Sequence, residues 1–546
     1  MTIKHRLGHG ALRRVVSWGE RSFRKNLNNL EAVQRSKHRA LMSAVAATPF
    51  AKQYDLNANT RWEDFSARVP VTGYSDWASD VDKLRRTGSA MIDSPVARFQ
   101  PTSGSTSAIK WIPYTKQFLA ELDGAIAPWL ADLYRQFPRI ARGSHYWSLS
   151  WLPTDMRDDG HAELNDDMQL LSAGKRILAA STQAMPEDVA MAPTSEGAAF
   201  ASLVMLAADR HLAVMSVWSP TFALTMLEQL SQWRESVADC LDRGDWGNRQ
   251  NELGFLSCPR NLIQARLLRD WSGELSADFF SKFWPDLALV SAWDTASASR
   301  WAGLLQEYLP QASFQGKGLW ATEGVVTIPY AGQYVLAYQS HVYEFEDLDS
   351  GVVVPCWSLQ KDQRVAPVIS TGSGFMRYRM GDELRVSGFI GQVPTLTFLG
   401  REDGVDLVGE KLSTMTALNV LDVLADRFNV KTVSLVALEQ SNSAGRPGYI
   451  VLLEEPQGSS VDEIEATAES ILLEHFHYRL ARSLNQLASV RVVCSEDMRD
   501  FYLQQCRLRG MIEGNIKIEP LRRWDGPVPP RLADVPESSR LIRAVV

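Results

Sequence analysis

The sequence predicts an α/β protein of at least two domains, and three observations carry that reading. From about Val96 to Phe398, strand-like runs alternate with helical stretches, which is α/β grammar. The chain has 546 residues, more than one hydrophobic core usually organises. After Gly400 the style changes to a shorter unit of helices and strands in which no such long alternation recurs.

Taken in order, Arg21 to Val45 reads as a helix, because apolar residues recur at mixed spacings of three and four among many charges. Val96–Phe99 and Trp111–Tyr114 are strand-like and flank a loop. Arg210–Trp218 reads as a buried strand. Pro220 suits the first turn of the helix that follows, Thr221 to Arg243. Gly374–Val386 reads as strand, tight turn, strand, and Thr395–Leu399 is an apolar run that ends at the charged turn Gly400–Gly404. Beyond it the expected elements are a helix over Thr414–Phe428 and strands over Val430–Leu438 and Gly448–Glu454, joined by the turn Ser441–Gly448. A helix over Val461–Leu484, a strand over Val490–Cys494 and a helix over Glu496–Arg509 complete the unit. The tail from Pro527 reads as a loosely attached end.

Composition narrows the function classes. A net charge of −7 argues against a nucleic-acid backbone as the main partner, since that role needs a basic face. The longest apolar run, Gly197–Ala208, is far too short to span a membrane, and no membrane partner is expected. The N-terminus carries Lys4, Arg6, Arg13 and Arg14 without the apolar core and cleavage site of a secretory signal, and Glu20 and Glu31 favour an ordinary solvated helix. Five cysteines without a Cys-x-x-Cys pair fit a reducing cytoplasm. His475 and His477 are poorly spaced for one helical face, with no cysteine nearby, so a structural zinc site is not expected.

The chemistry is carried by the loop Pro101–Lys110, with Thr102, Ser103, Gly104, Ser105, Thr106 and Lys110. Small residues let successive backbone N–H groups converge on phosphate oxygens, hydroxyls add donors, and Lys110 offers a compact positive charge. The loop lies between strands, so it is not a Walker loop, which opens a helix. Further segments follow at large separations: Gly318–Gly324 with Thr322 and Glu323, Tyr378–Asp382, Gly400–Gly404, and Val408–Leu412 with Lys411.

In this order and spacing, the segments resemble the signatures of the acyl-adenylating superfamily, which includes acyl-CoA ligases, adenylation domains and luciferases. Asp64–Tyr74, Lys110–Thr115, Trp218–Phe222, Trp284–Pro285, Asp294–Ser297, Tyr308–Pro310 and Gly514–Lys517 look like the auxin-responsive acyl acid amido synthetases, a likeness running from about Asn26 to about Trp524. Two departures stand out. Ser107 replaces a glycine of many relatives, and Leu319-Trp320 replaces an aromatic-glycine pair, leaving Trp320 either as a stacking face for adenine or as core.

The resemblance implies the acyl-adenylating enzyme fold: a large N-terminal multi-sheet α/β domain over residues 1–399, a hinge at 400–404 and a small C-terminal α+β lid domain over 405–546. Asp403 is then a hinge residue or a plain turn aspartate. It also implies ATP and Mg2+ as cofactors, and a small-molecule carboxylic acid and an amine or amino acid as partners. The acid is activated as an acyl-adenylate and passed to the amine. Transfer to a thiol or hydroxyl is the alternative; a degenerate nucleotide-binding regulatory scaffold is the other, disfavoured by the intact Lys110, Glu323, Asp382 and Lys517.

By the same resemblance, Thr322 and Gly324 contact the nucleotide, and Glu323 holds magnesium, whose preference is for hard oxygen ligands. Asp382 accepts hydrogen bonds from the ribose hydroxyls, or else caps its turn. Arg401 reaches the nucleotide or pairs on the surface. Lys517 is the catalytic lysine, with Lys411 the runner-up. Tyr146, Trp147, Trp151, Trp218 and Phe222 fall where the acyl pocket would lie, and each taken singly reads first as ordinary core packing; Trp320 is the sixth aromatic candidate there.

Overall fold

A computed structural model describes residues 3–101, 110–148, 151, 178–295, 298–401, 404–405, 407–408, 410, 412–439, 446–454, 460–483, 486–509, 511 and 516–524. The chain forms two compact units, one built on Met1–Leu399 and the other on Gly400–Met511, to which the segment from Ile516 returns.

Strands β1 (Val96–Pro101) and β2 (Trp111–Thr115) pair antiparallel around the predicted loop. A parallel sheet follows, made of β3 (Ser144–Trp147), β4 (Leu212–Ser216), β5 (Leu289–Ala292) and β6 (Ser313–Gly316) in that spatial order. Helices fill the connections, as parallel neighbours require. The helix Ser195–Ala208 is buried almost throughout, which explains why the longest apolar run of the chain belongs to a core helix.

Strands β7 (Trp320–Ala321) and β8 (Gly324–Val325) form a hairpin. An eight-stranded sheet then takes β9 (Thr327–Tyr330), β10 (Gln333–Leu336), β11 (Val342–Asp347), β12 (Val353–Pro355), β13 (Arg364–Ser370), β14 (Tyr378–Arg379), β15 (Asp382–Ile390) and β16 (Val393–Arg401). Its order is β12-β11-β13-β15-β16-β10-β9, with β14 beside β13. In the second unit β17 (Thr432–Leu438), β18 (Gly448–Leu453), β19 (Arg491–Cys494) and β20 (Leu521–Arg523) make a sheet ordered β19-β18-β17-β20. Only its central pair, β17 and β18, is antiparallel.

Three expected helices are each broken. Arg21–Val45 spans parts of two helices, Ile3–Lys25 and Leu30–Val45, with a turn at Asn26–Asn29. Asparagine side chains compete for local backbone groups, and that of Asn26 donates to the Ser22 carbonyl. The carbonyl of Leu27 meanwhile accepts the Gln392 N–H from a distant hairpin. Thr221–Arg243 divides at Trp233, and Val461–Leu484 divides at Glu474–His475, where Arg479 donates to the Leu473 carbonyl. Glu20 is also not solvated. It is buried, accepts the Tyr330 hydroxyl and lies 3.5 Å from Arg135, because its helix packs on the helix Lys116–Gln136; Glu31 is exposed. At that crossing a Cβ on Gly19 would stand 2.6 Å from the Ala127 methyl, so only glycine permits the approach.

Among the described residues no helix is long and apolar enough to cross a membrane. His475 and His477 are exposed, and all five cysteines are free. The turn residues 441–445 and the tail from 527 lie outside the described residues.

Candidate active site

Strands β7 and β8 pair Trp320 with Val325 and Ala321 with Gly324, so Thr322 and Glu323 form the two-residue tip of a hairpin. Both are half-buried. The Tyr114 hydroxyl donates to the Thr322 carbonyl at 3.1 Å, and the Tyr378 hydroxyl donates to Glu323 Oε1 at 3.4 Å. Tyr114 belongs to β2, the strand that leaves the serine-threonine loop. The hairpin is therefore pinned between that strand and β14.

A buried polar dyad holds the hairpin from beneath. Val325 donates its N–H to His341 Nε2 at 3.2 Å, so the ring proton sits on Nδ1, which donates to Glu121 Oε2 at 2.9 Å. The same carboxylate oxygen accepts the Gly372 N–H at 2.8 Å. A Cβ on Gly324 would lie 2.8 Å from Ile369 Cδ1 and 3.0 Å from His341 Nε2, which explains the glycine after Thr-Glu. Burial pushes the Tyr114 phenol up, keeping it a proton donor to Thr322.

The lysine of the loop is half-buried beside this strand. Lys110 Nζ stands 5.7 Å from the centroid of the Tyr74 ring, and the Tyr74 hydroxyl accepts the Trp111 N–H at 2.8 Å. Thr102, Ser103, Gly104, Ser105 and Thr106 lie outside the described residues, as do Asp403 and Lys411.

The segment Asp64–Tyr74 is bound to the strand that leads to Asp382. Thr72 donates to the Arg377 carbonyl and accepts from the Arg379 N–H, each at 2.9 Å. Arg377 takes a left-handed backbone, φ 48°, and its buried guanidinium pairs with Glu344 at 2.8 Å while donating to the Ser66 and Val69 carbonyls. Asp382 follows as the buried first residue of β15. Contacts thus gather Thr322, Glu323, Gly324 and Tyr378, with Asp382 four residues further along the chain, while Lys110 stands beside Tyr74 at the start of the segment that carries Tyr114. Arg401 is exposed at the end of β16, and Lys517 is exposed between buried Ile516 and Ile518.

The aromatic candidates separate. Trp147 and Trp218 face one another's neighbourhood through Trp129 and Trp320: ring centroids are 5.8 Å apart for Trp129–Trp147, 5.8 Å for Trp129–Trp320 and 6.1 Å for Trp218–Trp320. Trp320 is buried in this cluster. Tyr146, next to Trp147 on β3, points to the opposite face and directs its hydroxyl at Met226 Sδ, as strand alternation demands. Trp151 is half-buried and donates to the Ala192 carbonyl; Phe222 is half-buried on the helix Pro220–Gln232. Asp294, from a stretch that carried the resemblance, accepts the Tyr334 hydroxyl, and burial raises its carboxyl above the ordinary range.

Sequence reading missed Lys317, which lies fully buried inside the tryptophan cluster, and the dyad Glu121–His341, whose members are 220 residues apart. The available signal for Lys317 was a lysine between two glycines just after a strand.

Among the described residues no three metal-ligating side chains cluster. Magnesium keeps several waters and binds through one or two carboxylates together with substrate phosphates, so it does not require such a cluster. Glu323 offers one half-buried carboxylate at the hairpin tip.

Residues 19–314 match the GH3 family N-terminal domain and residues 334–401 the GH3 family central domain. The chain belongs to the GH3 family. It is 20% identical over 407 residues to the indole-3-acetic acid-amido synthetase GH3.15 of Arabidopsis thaliana, covering 68% of each chain. It is 21% identical over 529 residues to the probable indole-3-acetic acid-amido synthetase GH3.12 of Oryza sativa subsp. japonica, covering 82% of each. The solved GH3.15 acyl acid amido synthetase in complex with 2,4-DB superposes with a TM-score of 0.76 at 18% identity, covering 96% of this chain and 95% of that one, which establishes the shared fold.

Proposed function

We propose that this GH3 protein is an ATP-dependent, AMP-producing ligase that activates a small carboxylic acid as its acyl-adenylate and joins it to an amine, an amino acid in the simplest case, as an amide. The observation that carries the reading is the Thr322–Glu323 hairpin tip, held between the strand leaving the serine-threonine loop and the strand leading to Asp382.

A carboxylate is a poor electrophile. Its oxygen attacks the α-phosphorus of ATP, pyrophosphate leaves, and the acyl carbon acquires a good leaving group; the amine then attacks that carbon and AMP departs. Both steps move charge among oxygens, so catalysis rests on fixed donors and cations. The roles assigned are phosphate contact by Thr102, Ser103, Gly104, Ser105, Thr106, Lys110 and Thr322, and ribose recognition by Asp382. Magnesium, held by Glu323, would neutralise phosphate charge. Lys517 is assigned the neutralisation of the α-phosphate and carboxylate, with Lys411 the runner-up, and residues 400–404 the role of hinge to a C-terminal lid domain. A cytoplasmic location fits the free cysteines.

The test is acid-dependent ATP–pyrophosphate exchange across a panel of carboxylic acids, followed by mass spectrometry of products formed with mixed amino acids. Release of AMP with an amide product supports the reading, and a thioester or ester product replaces it. Lys517→Ala is expected to nearly abolish exchange while leaving the circular dichroism spectrum unchanged. Full exchange in that variant transfers the role to Lys411.

A further inference from the structure

The helix Ile3–Lys25 carries apolar residues on two faces, and the fold uses one of them. Leu12, Val16 and Phe23 are buried, where the helix packs on the helix Lys116–Gln136 and on the turn Pro138–Arg142. Outward stand Leu7 at 69% exposure, Trp18 at 70% and Val15 at 41%. Leu7 and Trp18 are about three turns apart, so they share one line along the helix, with Val15 beside it. Large apolar side chains grouped on a solvent-facing surface mark an interaction site when the fold has no use for them.

The same face is basic. Arg14, Arg21 and Lys25 lie along the line of Leu7 and Trp18, Arg13 flanks it, and Arg139 and Arg142 extend it on the neighbouring turn; all are exposed. None of them has an ion-pair partner among the described residues, and the Arg21 guanidinium rests 5.5 Å from the centroid of the Trp18 ring. The single acid of the helix, Glu20, is buried and turned to Tyr330 and Arg135. In a chain of net charge −7 this concentration of unpaired cations is local. At physiological salt, charges more than about 8 Å away are largely screened, so a surface that meets this face meets its positive charge.

We infer that this face docks the protein on a lipid surface with anionic headgroups, Trp18 and Leu7 entering the boundary between headgroups and acyl chains while the arginines and Lys25 meet the phosphates. Indole is favoured at that boundary, and basic side chains near an anionic leaflet each add attraction. The expectation of no membrane partner rested on the lack of a spanning run, and a helix lying in the plane of the interface needs none. The inner stripe already fastens the helix to the protein, so the docking face is ordered before it binds. Charge and composition also decide against other occupants. A second copy meeting this face by two-fold symmetry would set cations against cations. A nucleic-acid backbone would take the cations and leave Leu7 and Val15 without a role. The inference is independent of the ligase reading and adds a partner to it.

The experiment is sedimentation of the full chain with vesicles of equal parts phosphatidylglycerol and phosphatidylcholine, against vesicles of phosphatidylcholine alone. Wild-type protein is expected to sediment with the mixed vesicles at about 0.1 M salt, and to bind at least about tenfold more weakly to the neutral vesicles or at about 1 M salt. Trp18→Ser and the double variant Arg14→Glu/Arg21→Glu are each expected to lose at least about tenfold in affinity for the mixed vesicles, with circular dichroism unchanged. All three positions are exposed, so the substitutions leave the fold intact. No sedimentation with the mixed vesicles, equal binding to the neutral ones, or undiminished binding by either variant overturns the inference. So does retardation of duplex DNA in a gel without vesicle binding, which makes the face a nucleic-acid site. A lipid-free dimer abolished by Trp18→Ser likewise overturns it and makes the face a contact between copies.

Discussion

The hairpin at Thr322 and the tryptophan cluster at Lys317 are five residues apart in the chain and are built by different means. The hairpin is positioned through its main chain: Tyr114 grips a carbonyl, His341 accepts an N–H, and Glu121 ties the ring to a further backbone amide. The cluster is made of side-chain ends delivered by four parallel strands and by Trp129 from the helix Lys116–Gln136. Backbone geometry tolerates little variation, whereas side chains at strand ends can be exchanged without moving the strands. The roles proposed for the hairpin thus rest on backbone positioning, while the tryptophan cluster rests on side chains.

Exchanging the charge at the hairpin tip tests that division most severely. Glu323→Gln should lower acid-dependent exchange by roughly 100- to 1000-fold, the scale of losing one positioned electrostatic contact, while the surviving activity keeps the wild-type preference among acids. A variant whose acid preference collapsed together with its rate would show that the two regions are not separable.

The dyad beneath the hairpin offers a smaller lever. His341→Phe keeps a ring to stack on Phe118 but orphans the Val325 N–H and removes one donor from Glu121, which keeps those of Gly372 and Gln117. A loss of about 1–3 kcal/mol in denaturant unfolding is expected, with kcat reduced and the ratio among acids unmoved. Restoration of kcat by His341→Gln but not by His341→Phe would identify hydrogen bonding as the cause.

A control outside both regions has the smallest effect. His38 is buried against Trp62 and Phe65, and desolvation lowers its pKa from 6.5 to about 4, with Glu63 opposing and Arg35 and Arg39 assisting. The neutral imidazole is favoured in the folded chain, so its contribution is fully present above pH 6.5 and declines as pH falls toward about 4. The slope is at most about 1.4 kcal/mol per pH unit. Unfolding titrations of the wild type and His38→Gln between about pH 7 and 5.5 should differ in that slope, separating a global loss of stability from any titration of the site.

Much of the hairpin was legible in the linear order of residues, because its chemistry lies in contiguous segments: Thr322-Glu323-Gly324, Tyr378 to Asp382, and Lys110 at the end of the loop. The two strands about the loop and the strand-turn-strand that contains Asp382 were expected, and they form. The breaks at Asn26–Asn29, Trp233 and Glu474–His475 were not. Helical periodicity survives a short turn, and nothing local announces that a distant group such as the Gln392 N–H will claim a carbonyl at Leu27.

What the sequence by itself determined was the α/β grammar, the family resemblance and the adenylating motifs, since each depends on residues close together in the chain. Only the tertiary structure decided that Ser216 lies beside Ser291 and bonds Lys317, that Tyr146 turns away from Trp147's side of the sheet, and that Glu121 reaches His341. Strand register and helix packing set those meetings across long separations: 80 residues for Tyr146 and Met226, 101 for Ser216 and Lys317, and 220 for Glu121 and His341. Pattern in a sequence reports which way a residue faces, and packing alone determines what it faces.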